Sequence, residues 1–167
     1  TNNSVKIKSY LKNRFIDEKI CQEFSIGFAP KKYDQNNLLK YLIKNGFSSQ
    51  EIVSVGLAKK NNNELVSYFY NRIMIPITSA SGKVVGFGGR VFEEGLPKYL
   101  NSPESEFFSK RNLLFGVYNF KKNFKKSNYI ILCEGYMDVI VLFKYGFPAV
   151  ASLGTGVSEN QIKMLTG

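Results

Sequence analysis

Histidine is absent from the 167 residues, and cysteine occurs only twice. Without histidine, the chain contains no Ser/His or Cys/His catalytic arrangement and no histidine metal ligand. Cys21 and Cys133 lie far apart and form no CxxC spacing, so we expect two ordinary buried thiols and no disulfide framework or four-cysteine zinc site. Any chemistry must therefore use carboxylates, lysines, hydroxyl groups or metal ions held by oxygen.

Long apolar runs are also missing. No stretch approaches the roughly 20 apolar residues of a membrane span, and the first residues contain neither the apolar stretch nor the cleavage pattern of a signal peptide. We therefore expect a cytoplasmic protein without a membrane partner. Its 44% hydrophobic content is enough to form a buried core of one domain or two small ones.

Acidic residues are outnumbered, with 13 Asp and Glu against 23 Lys and Arg and a formal net charge of +10. Clustered cations gain affinity for phosphates by releasing condensed counterions, so the charge favours a polyanionic partner. The alternative is a basic, solvated surface that reflects a genome rich in Lys and Asn codons. Charge alone therefore does not identify a nucleic-acid-binding protein.

The first third of the chain has apolar residues at helical spacing between Ser4 and Val55, which predicts small helices. Breaks are expected at Gly27–Pro30 and Asn45–Ser48, where Gly and Pro favour turns and Ser48 or Ser49 can cap the next helix. The polar stretch from Lys59 to Asn63 predicts an exposed loop.

Extended segments follow from Tyr68. Asn71–Thr78 and Lys83–Phe87 flank the turn signal Ser79–Gly82, which predicts a hairpin. Three glycines come next and allow a close backbone approach, a β-bulge or tight strand packing: Gly86, Gly88 and Gly89. A short amphipathic helix is predicted between Leu113 and Phe124.

The last third alternates strand and helix. The predicted order is strand Tyr129–Cys133, helix Met137–Tyr145, strand Ala149–Ser152 and helix Ser158–Leu165. This βαβα order predicts a parallel, doubly wound sheet with ligand sites at the carboxyl ends of its strands. Glu134 follows the first of these strands, and Asp138 lies one helical turn further on, so both carboxylates could face one cleft.

The string Glu134–Val139, followed by Ala151–Thr155, resembles the toprim domain of bacterial DnaG-type DNA primases. Upstream strings resemble further signatures of that family: Ser25–Pro30, Asn71–Ile77, Phe87–Arg90 and Pro97–Glu104. The resemblance implies an α+β fold, in which a small helical and mixed α/β subdomain over residues 1–126 precedes the first βαβα part of a Rossmann-like toprim sheet over residues 127–167.

The same resemblance implies a nucleotidyltransferase that synthesises short RNA primers on a single-stranded DNA template from ribonucleoside triphosphates. Glu134 and Asp138 would be the catalytic residues, with Glu134 also a metal ligand. Arg90, Lys98, Tyr99 and Arg72 would bind nucleic acid or nucleotide. The residues from Lys110 to Lys126 include six cations, which either extend this basic surface or form a solvated helix face.

The family pattern also implies parts that this sequence does not contain. A later Asp-x-Asp pair would complete an Mg²⁺ or Mn²⁺ site, a zinc-binding module would precede the core, and a module that binds the replicative helicase would follow it. We therefore expect a segment of a longer enzyme that is inactive by itself. Two alternatives stay open: another toprim enzyme, such as a topoisomerase or a repair nuclease, and a non-catalytic module that binds single-stranded nucleic acid.

Overall fold

The computed structural model describes residues 2–31, 36–62, 64–154 and 156–166. The α-helices within these ranges are α1 (Asn2–Lys12), α2 (Glu18–Glu23), α3 (Asn36–Lys44), α4 (Ser49–Ser54), α5 (Val117–Asn123), α6 (Tyr136–Lys144) and α7 (Glu159–Thr166). The strands are β1 (Gly27–Ala29), β2 (Ala58–Asn61), β3 (Glu64–Ser67), β4 (Arg72–Thr78), β5 (Val84–Val91), β6 (Tyr99–Asn101), β7 (Leu114–Phe115), β8 (Ile131–Cys133) and β9 (Ala149–Ser152). The predicted α+β class is confirmed.

Two compact units are interleaved along the chain. The first unit comprises residues 1–25, 76–85 and 109–167, and the second comprises residues 26–75 and 86–108. Both units are therefore discontinuous in sequence. The sequence predicts instead two consecutive segments with a boundary after residue 126. This boundary stays a prediction.

The largest sheet has four strands in the order β1-β4-β5-β6. The predicted hairpin is confirmed by β4 and β5, whose turn is closed by a hydrogen bond from the amide of Ser79 to the carbonyl of Lys83 at 2.9 Å. Along β4, alternate side chains point to the core, and three isoleucines are fully buried: Ile73, Ile75 and Ile77. Branched side chains of this kind pack well on a pleated surface.

The expected break at Gly27–Pro30 is only partly correct. Gly27–Ala29 forms strand β1, which pairs antiparallel with the start of β4. Pro30 follows the strand, and it has no amide hydrogen with which to extend the ladder. Local spacing did not predict this strand because its pairing partner lies far along the chain.

The exposed loop predicted between Lys59 and Asn63 is wrong for its first residues. Residues up to Asn61 belong to β2, which pairs antiparallel with β3, while Asn63 lies outside the described residues. The side chains of Lys59, Lys60 and Asn61 are nevertheless exposed, as the polar composition indicates. Ala58, at the start of β2, is buried in a small core with Leu39 of α3 and Ile52 of α4.

The three-stranded sheet of the first unit has the order β7-β9-β8. Strands β8 and β9 are parallel and are connected through α6, as predicted, whereas β7 pairs antiparallel with β9, so the sheet is mixed. The predicted helix from Leu113 begins only at Val117. Gly116 precedes it with φ of 83°, a left-handed conformation that separates strand β7 from helix α5.

None of the helices in the described part of the chain is long and apolar enough to cross a membrane.

Candidate functional site

The two candidate catalytic carboxylates lie at the carboxyl end of β8. Glu134 directly follows the strand, Gly135 is the N-cap of α6, and Asp138 lies in the first turn of that helix. Both carboxylates are exposed to solvent. The parallel pairing of β8 with β9 makes this the strand end at which α/β sheets bind ligands, as the sequence predicts.

Gly135 allows a close approach of the Asp138 carboxylate to the strand-to-helix turn. A Cβ atom built on Gly135 would lie 3.0 Å from Oδ2 of Asp138. Asp138 therefore folds back toward the turn that begins at Glu134. In the described residues, no group of three or more Cys, Asp or Glu side chains could hold a metal ion, so these two carboxylates form at most part of a metal site.

An open cavity of about 520 Å³ in the first unit borders Asp138. Its walls include Met137 and Val141 of α6 and residues at and after the end of α1, namely Tyr10, Asn13, Arg14 and Phe15. The Arg14 guanidinium lies 5.2 Å from the centre of the Tyr10 ring. Sequence reasoning missed this neighbourhood, because residues so far apart in the chain share no local pattern.

A second group of predicted site residues is found on β5 and β6 of the second unit. Arg90 and Tyr99 are direct cross-strand neighbours. Nε of Arg90 donates a hydrogen bond to the Tyr99 hydroxyl at 3.2 Å, and the guanidinium lies 5.7 Å from the ring centre. Arg90 is 7% exposed and Tyr99 is 38% exposed, so the ring is the accessible member of this pair.

Lys98 lies immediately before β6, and its side chain is exposed. Its backbone is anchored, since the Lys98 carbonyl accepts a hydrogen bond from the amide of Val91 at 3.0 Å. The structure therefore brings Lys98, Tyr99 and Arg90 together on one strand pair. An exposed ammonium beside a stacking-competent aromatic ring is chemically suited to a phosphate and its adjoining base or sugar.

Arg72, at the start of β4, occupies a different environment. Its side chain is buried, and Nη1 donates hydrogen bonds to the carbonyls of Gly89 at 3.1 Å and Pro97 at 2.9 Å. Burial lowers the pKa of the Arg72 guanidinium below its ordinary value. The predicted contact of Arg72 with nucleic acid stays a prediction, and its surroundings favour a supporting role.

Ser102 is a site-supporting residue that the sequence did not single out, although it lies within the Pro97–Glu104 string. It is buried, and its hydroxyl accepts a hydrogen bond from the amide of Phe87 at 2.9 Å. The Ser102 amide in turn donates to the Phe87 carbonyl at 2.8 Å. This reciprocal pair connects two of the family-like strings, Phe87–Arg90 and Pro97–Glu104.

The basic segment that begins at Lys110 is attached by polar contacts to α7 and to Ser158, the residue before that helix. Gln161 is 1% exposed, and its Nε2 donates hydrogen bonds of 2.8 Å to the carbonyls of Lys110 and Leu113. The Ser158 hydroxyl donates to the Arg111 carbonyl at 2.6 Å. These contacts fix the backbone from which Lys110 and Arg111 project.

Comparison with known proteins assigns both parts of the chain. Residues 1–121 match the family described as the DNA primase catalytic core, N-terminal domain, and residues 131–167 match a family described as Toprim-like. The chain thus consists of a primase-type N-terminal part, followed by a toprim-like part that contains the carboxylates after β8. The chain belongs to the DNA primase catalytic core family.

Individual relatives agree with this family. A DNA primase of Rickettsia felis is 47% identical over 162 residues, which cover 96% of this chain and 27% of that protein. A solved DnaG primase catalytic domain bound to single-stranded DNA is similar with a TM-score of 0.88 and 38% identity, covering 98% of this chain and 53% of the other. The Escherichia coli primase catalytic core gives a TM-score of 0.89 at 38% identity, with 98% and 52% coverage. The chain thus spans about a quarter of the Rickettsia felis relative.

Proposed function

We propose that this chain is part of a DNA primase that synthesises short RNA primers on single-stranded DNA. The observation that carries the proposal is the pair of exposed carboxylates after β8, within residues that match a Toprim-like family. The resemblance to a DnaG catalytic domain bound to single-stranded DNA supports the choice of template. The parent enzyme would be a cytoplasmic nucleotidyltransferase that uses ribonucleoside triphosphates.

Glu134 and Asp138 fit one side of a site for Mg²⁺ or Mn²⁺, because both offer exposed carboxylate oxygens, the ligand type that these ions prefer. When bound, such an ion supplies positive charge to the oxygens of phosphoryl transfer. Glu134 would in addition accept or hold a proton at its carboxylate. Further carboxylates would come from elsewhere in the parent enzyme, and zinc and the replicative helicase would bind other modules of that parent.

On the second unit, we propose that Lys98 contacts a template or nucleotide phosphate and that Tyr99 stacks on a base or sugar. Arg90 would hold the Tyr99 ring through its hydrogen bond of 3.2 Å. Such contacts depend on charge and ring faces rather than on base edges. Binding should therefore be weak, nearly independent of base sequence and strongly dependent on salt.

The test is a fluorescence anisotropy titration of a labelled single-stranded oligonucleotide at several salt concentrations with the wild type and Lys98→Ala. We expect Lys98→Ala to weaken binding about equally for all base sequences and to reduce the slope of log affinity against log salt by about 0.7 to 1 unit, as for one lost phosphate contact. Circular dichroism should show an unchanged fold.

The matched control is Lys40→Ala, which removes the same charge from an exposed position on α3. Its effect on binding should be much smaller than that of Lys98→Ala. Equal effects of the two variants, or binding that does not change with salt, would contradict the proposed contact. Sustained binding combined with no primer synthesis by the full-length parent would favour a non-catalytic binding module.

A further inference from the structure

Arg72 is the arginine whose surroundings least resemble a nucleic-acid contact. Only 6% of its surface is exposed, whereas a phosphate must approach from solvent. Its position at the start of β4 is fixed by pairing with Ala29 of β1. A buried guanidinium is stable only where its N–H groups find acceptors.

The acceptors of Arg72 are backbone carbonyls on both sides of the β5–β6 connection. Nη1 donates to Gly89, in the middle of β5, at 3.1 Å and to Pro97, near the end of the connection, at 2.9 Å. This one nitrogen has two N–H bonds, and the two carbonyls use both. Arg72 therefore ties the end of the connection to the strand from which it departs.

Space for this link exists because residue 89 is a glycine. A Cβ atom there would lie 2.9 Å from Cδ of Arg72 and 2.9 Å from Cδ1 of Phe69. The ring and the aliphatic part of Arg72 thus pack directly over the strand backbone. Because Gly89 has no side chain, the side chain of Arg72 fits over the strand at that position.

The Pro97 carbonyl, which accepts a hydrogen bond from Arg72, belongs to the residue directly before Lys98. The connection itself is exposed from Glu93 to Lys98. Besides Arg72, a hydrogen bond from the amide of Val91 to the Lys98 carbonyl, at 3.0 Å, holds its end. Fixing Pro97 and Lys98 at the backbone limits the space that the Lys98 ammonium samples, which lowers the entropy cost of meeting a phosphate.

We infer that Arg72 is a positioning residue for DNA binding, which holds the Pro97–Lys98 backbone so that Lys98 meets the phosphate, and does not itself contact nucleic acid. The inference rests on the proposed role of Lys98. In place of the direct nucleic-acid contact that the sequence predicts, Arg72 would have a positioning role, and its side chain would stay charged.

A double-mutant cycle on single-stranded DNA affinity tests this inference. The variants are Arg72→Lys, Lys98→Ala and the double substitution, titrated at two salt concentrations with a labelled oligonucleotide. Lysine keeps the charge, but its ammonium lies one bond short of the position of Nη1 and lacks the rigid plane that aims the two N–H groups of Nη1 at both carbonyls. We expect Arg72→Lys alone to weaken binding about threefold, and to have almost no further effect once Lys98 is alanine, because coupled residues are not additive.

The outcomes separate the two roles. Additive losses of affinity in the double substitution, together with a salt slope that is lower than the wild-type slope when Arg72→Gln removes the charge, would mean that Arg72 contacts phosphate directly. That result would overturn the inference while leaving the role of Lys98 intact. No effect of Lys98→Ala would overturn the proposed binding site, and the inference with it.

Amide hydrogen exchange supplies a readout that general destabilisation would not reproduce. In Arg72→Lys we expect faster exchange at Val91, whose amide donates to Lys98, with unchanged exchange in α3 and α4. Uniformly faster exchange would indicate a purely structural role and overturn the inference. If Arg72→Lys does not fold, Arg72→Gln, which keeps two N–H donors, replaces it in both experiments.

Discussion

Single glycines of β5 are required by particular neighbours rather than by backbone conformation. A Cβ atom on Gly86 would lie 2.4 Å from Cδ2 of Phe108, a ring that is 1% exposed. The ring therefore packs against the backbone of β5 and has no solvent side toward which to move. The sequence allows both tight strand packing and a β-bulge at this glycine, and the structure identifies packing.

We expect Gly86→Ala to lower the free energy of unfolding by about 1–3 kcal/mol, the usual cost of an added group in a filled core. Gly27→Ala is the matched control, since Gly27 is also in a strand but a Cβ atom there would have no neighbour within 4 Å. That variant should be nearly neutral. Urea unfolding followed by circular dichroism measures both changes, and equal stabilities of the two variants would contradict the packing argument.

The proximity of candidate site residues could be predicted where they lie within one sequence signature or in adjacent strands. Arg90 and Tyr99 were predicted to lie in one site, and they are cross-strand neighbours in a short hairpin. Arg72 was assigned through the family resemblance of the Asn71–Ile77 string, whereas its burial depends on Gly89 and Phe69, which no local pattern connects with it. Tyr10 and Arg14 were missed beside Asp138 for the same reason.

Among the elements, helix α4 is the one whose start the sequence predicts best. Ser48 is its N-cap, and its hydroxyl accepts a hydrogen bond from the Glu51 amide at 3.2 Å. Glu51 reciprocates, because its Oε2 accepts hydrogen bonds from the Ser48 hydroxyl at 2.7 Å and the Ser48 amide at 2.8 Å. These bonds hold the pKa of the Glu51 carboxyl below its ordinary value of 4.5, and the bond from the Ser48 hydroxyl has the largest effect.

We expect Ser48→Ala to lower the midpoint of thermal unfolding by a few degrees at neutral pH. A carboxyl group whose pKa is depressed on folding stabilises the protein above its unfolded pKa, and that stabilisation is lost as the pH falls through the lower folded value. The difference between wild type and Ser48→Ala should therefore shrink below about pH 4. Calorimetry over a pH series measures it.

Ser54→Ala is the control for that series. Its hydroxyl donates to the Glu51 carbonyl at the other end of the same helix, so no titrating group is involved. A difference between wild type and Ser48→Ala that stayed constant across the pH series, as expected for Ser54→Ala, would contradict the role of the Glu51 carboxylate.

The βαβ part was predicted correctly, since apolar runs and helical spacing are local signals. Strands β1 and β7 were missed because each is short and pairs with a strand far along the chain. Strands β2 and β3 form a local hairpin and were also missed, because the exposed polar side chains of β2 indicate a loop. The three-residue strand β6 was not predicted either.

At the scale of the whole molecule, the proposed chemistry needs more carboxylates than the described residues bring together. We expect this chain alone to make no primers and its full-length parent to make them. In that parent, Glu134→Gln should abolish synthesis, because glutamine keeps the size and polarity of Glu134 but removes its charge and titratable proton. Template binding should survive. Incorporation of labelled ribonucleotides with magnesium measures synthesis.

Glu159→Gln, at an exposed position on α7, is the control and should retain synthesis. Primer synthesis by the Glu134→Gln parent at a near wild-type rate would disprove the catalytic role of Glu134. Synthesis by the short chain itself would contradict the requirement for additional carboxylates.

The interleaving of the two units has a consequence for how the chain is made. Phe24, near the end of the first stretch of the first unit, packs in an edge-on contact on Phe143 with ring centres 5.1 Å apart. During translation at about 5–20 residues per second, Phe143 is added on the order of ten seconds after Phe24. During that interval the ring of Phe24, which is 6% exposed in the folded chain, lacks this packing partner. The opening helices of a nascent chain would thus present an apolar surface to chaperones while the second unit, complete by residue 108, can already fold.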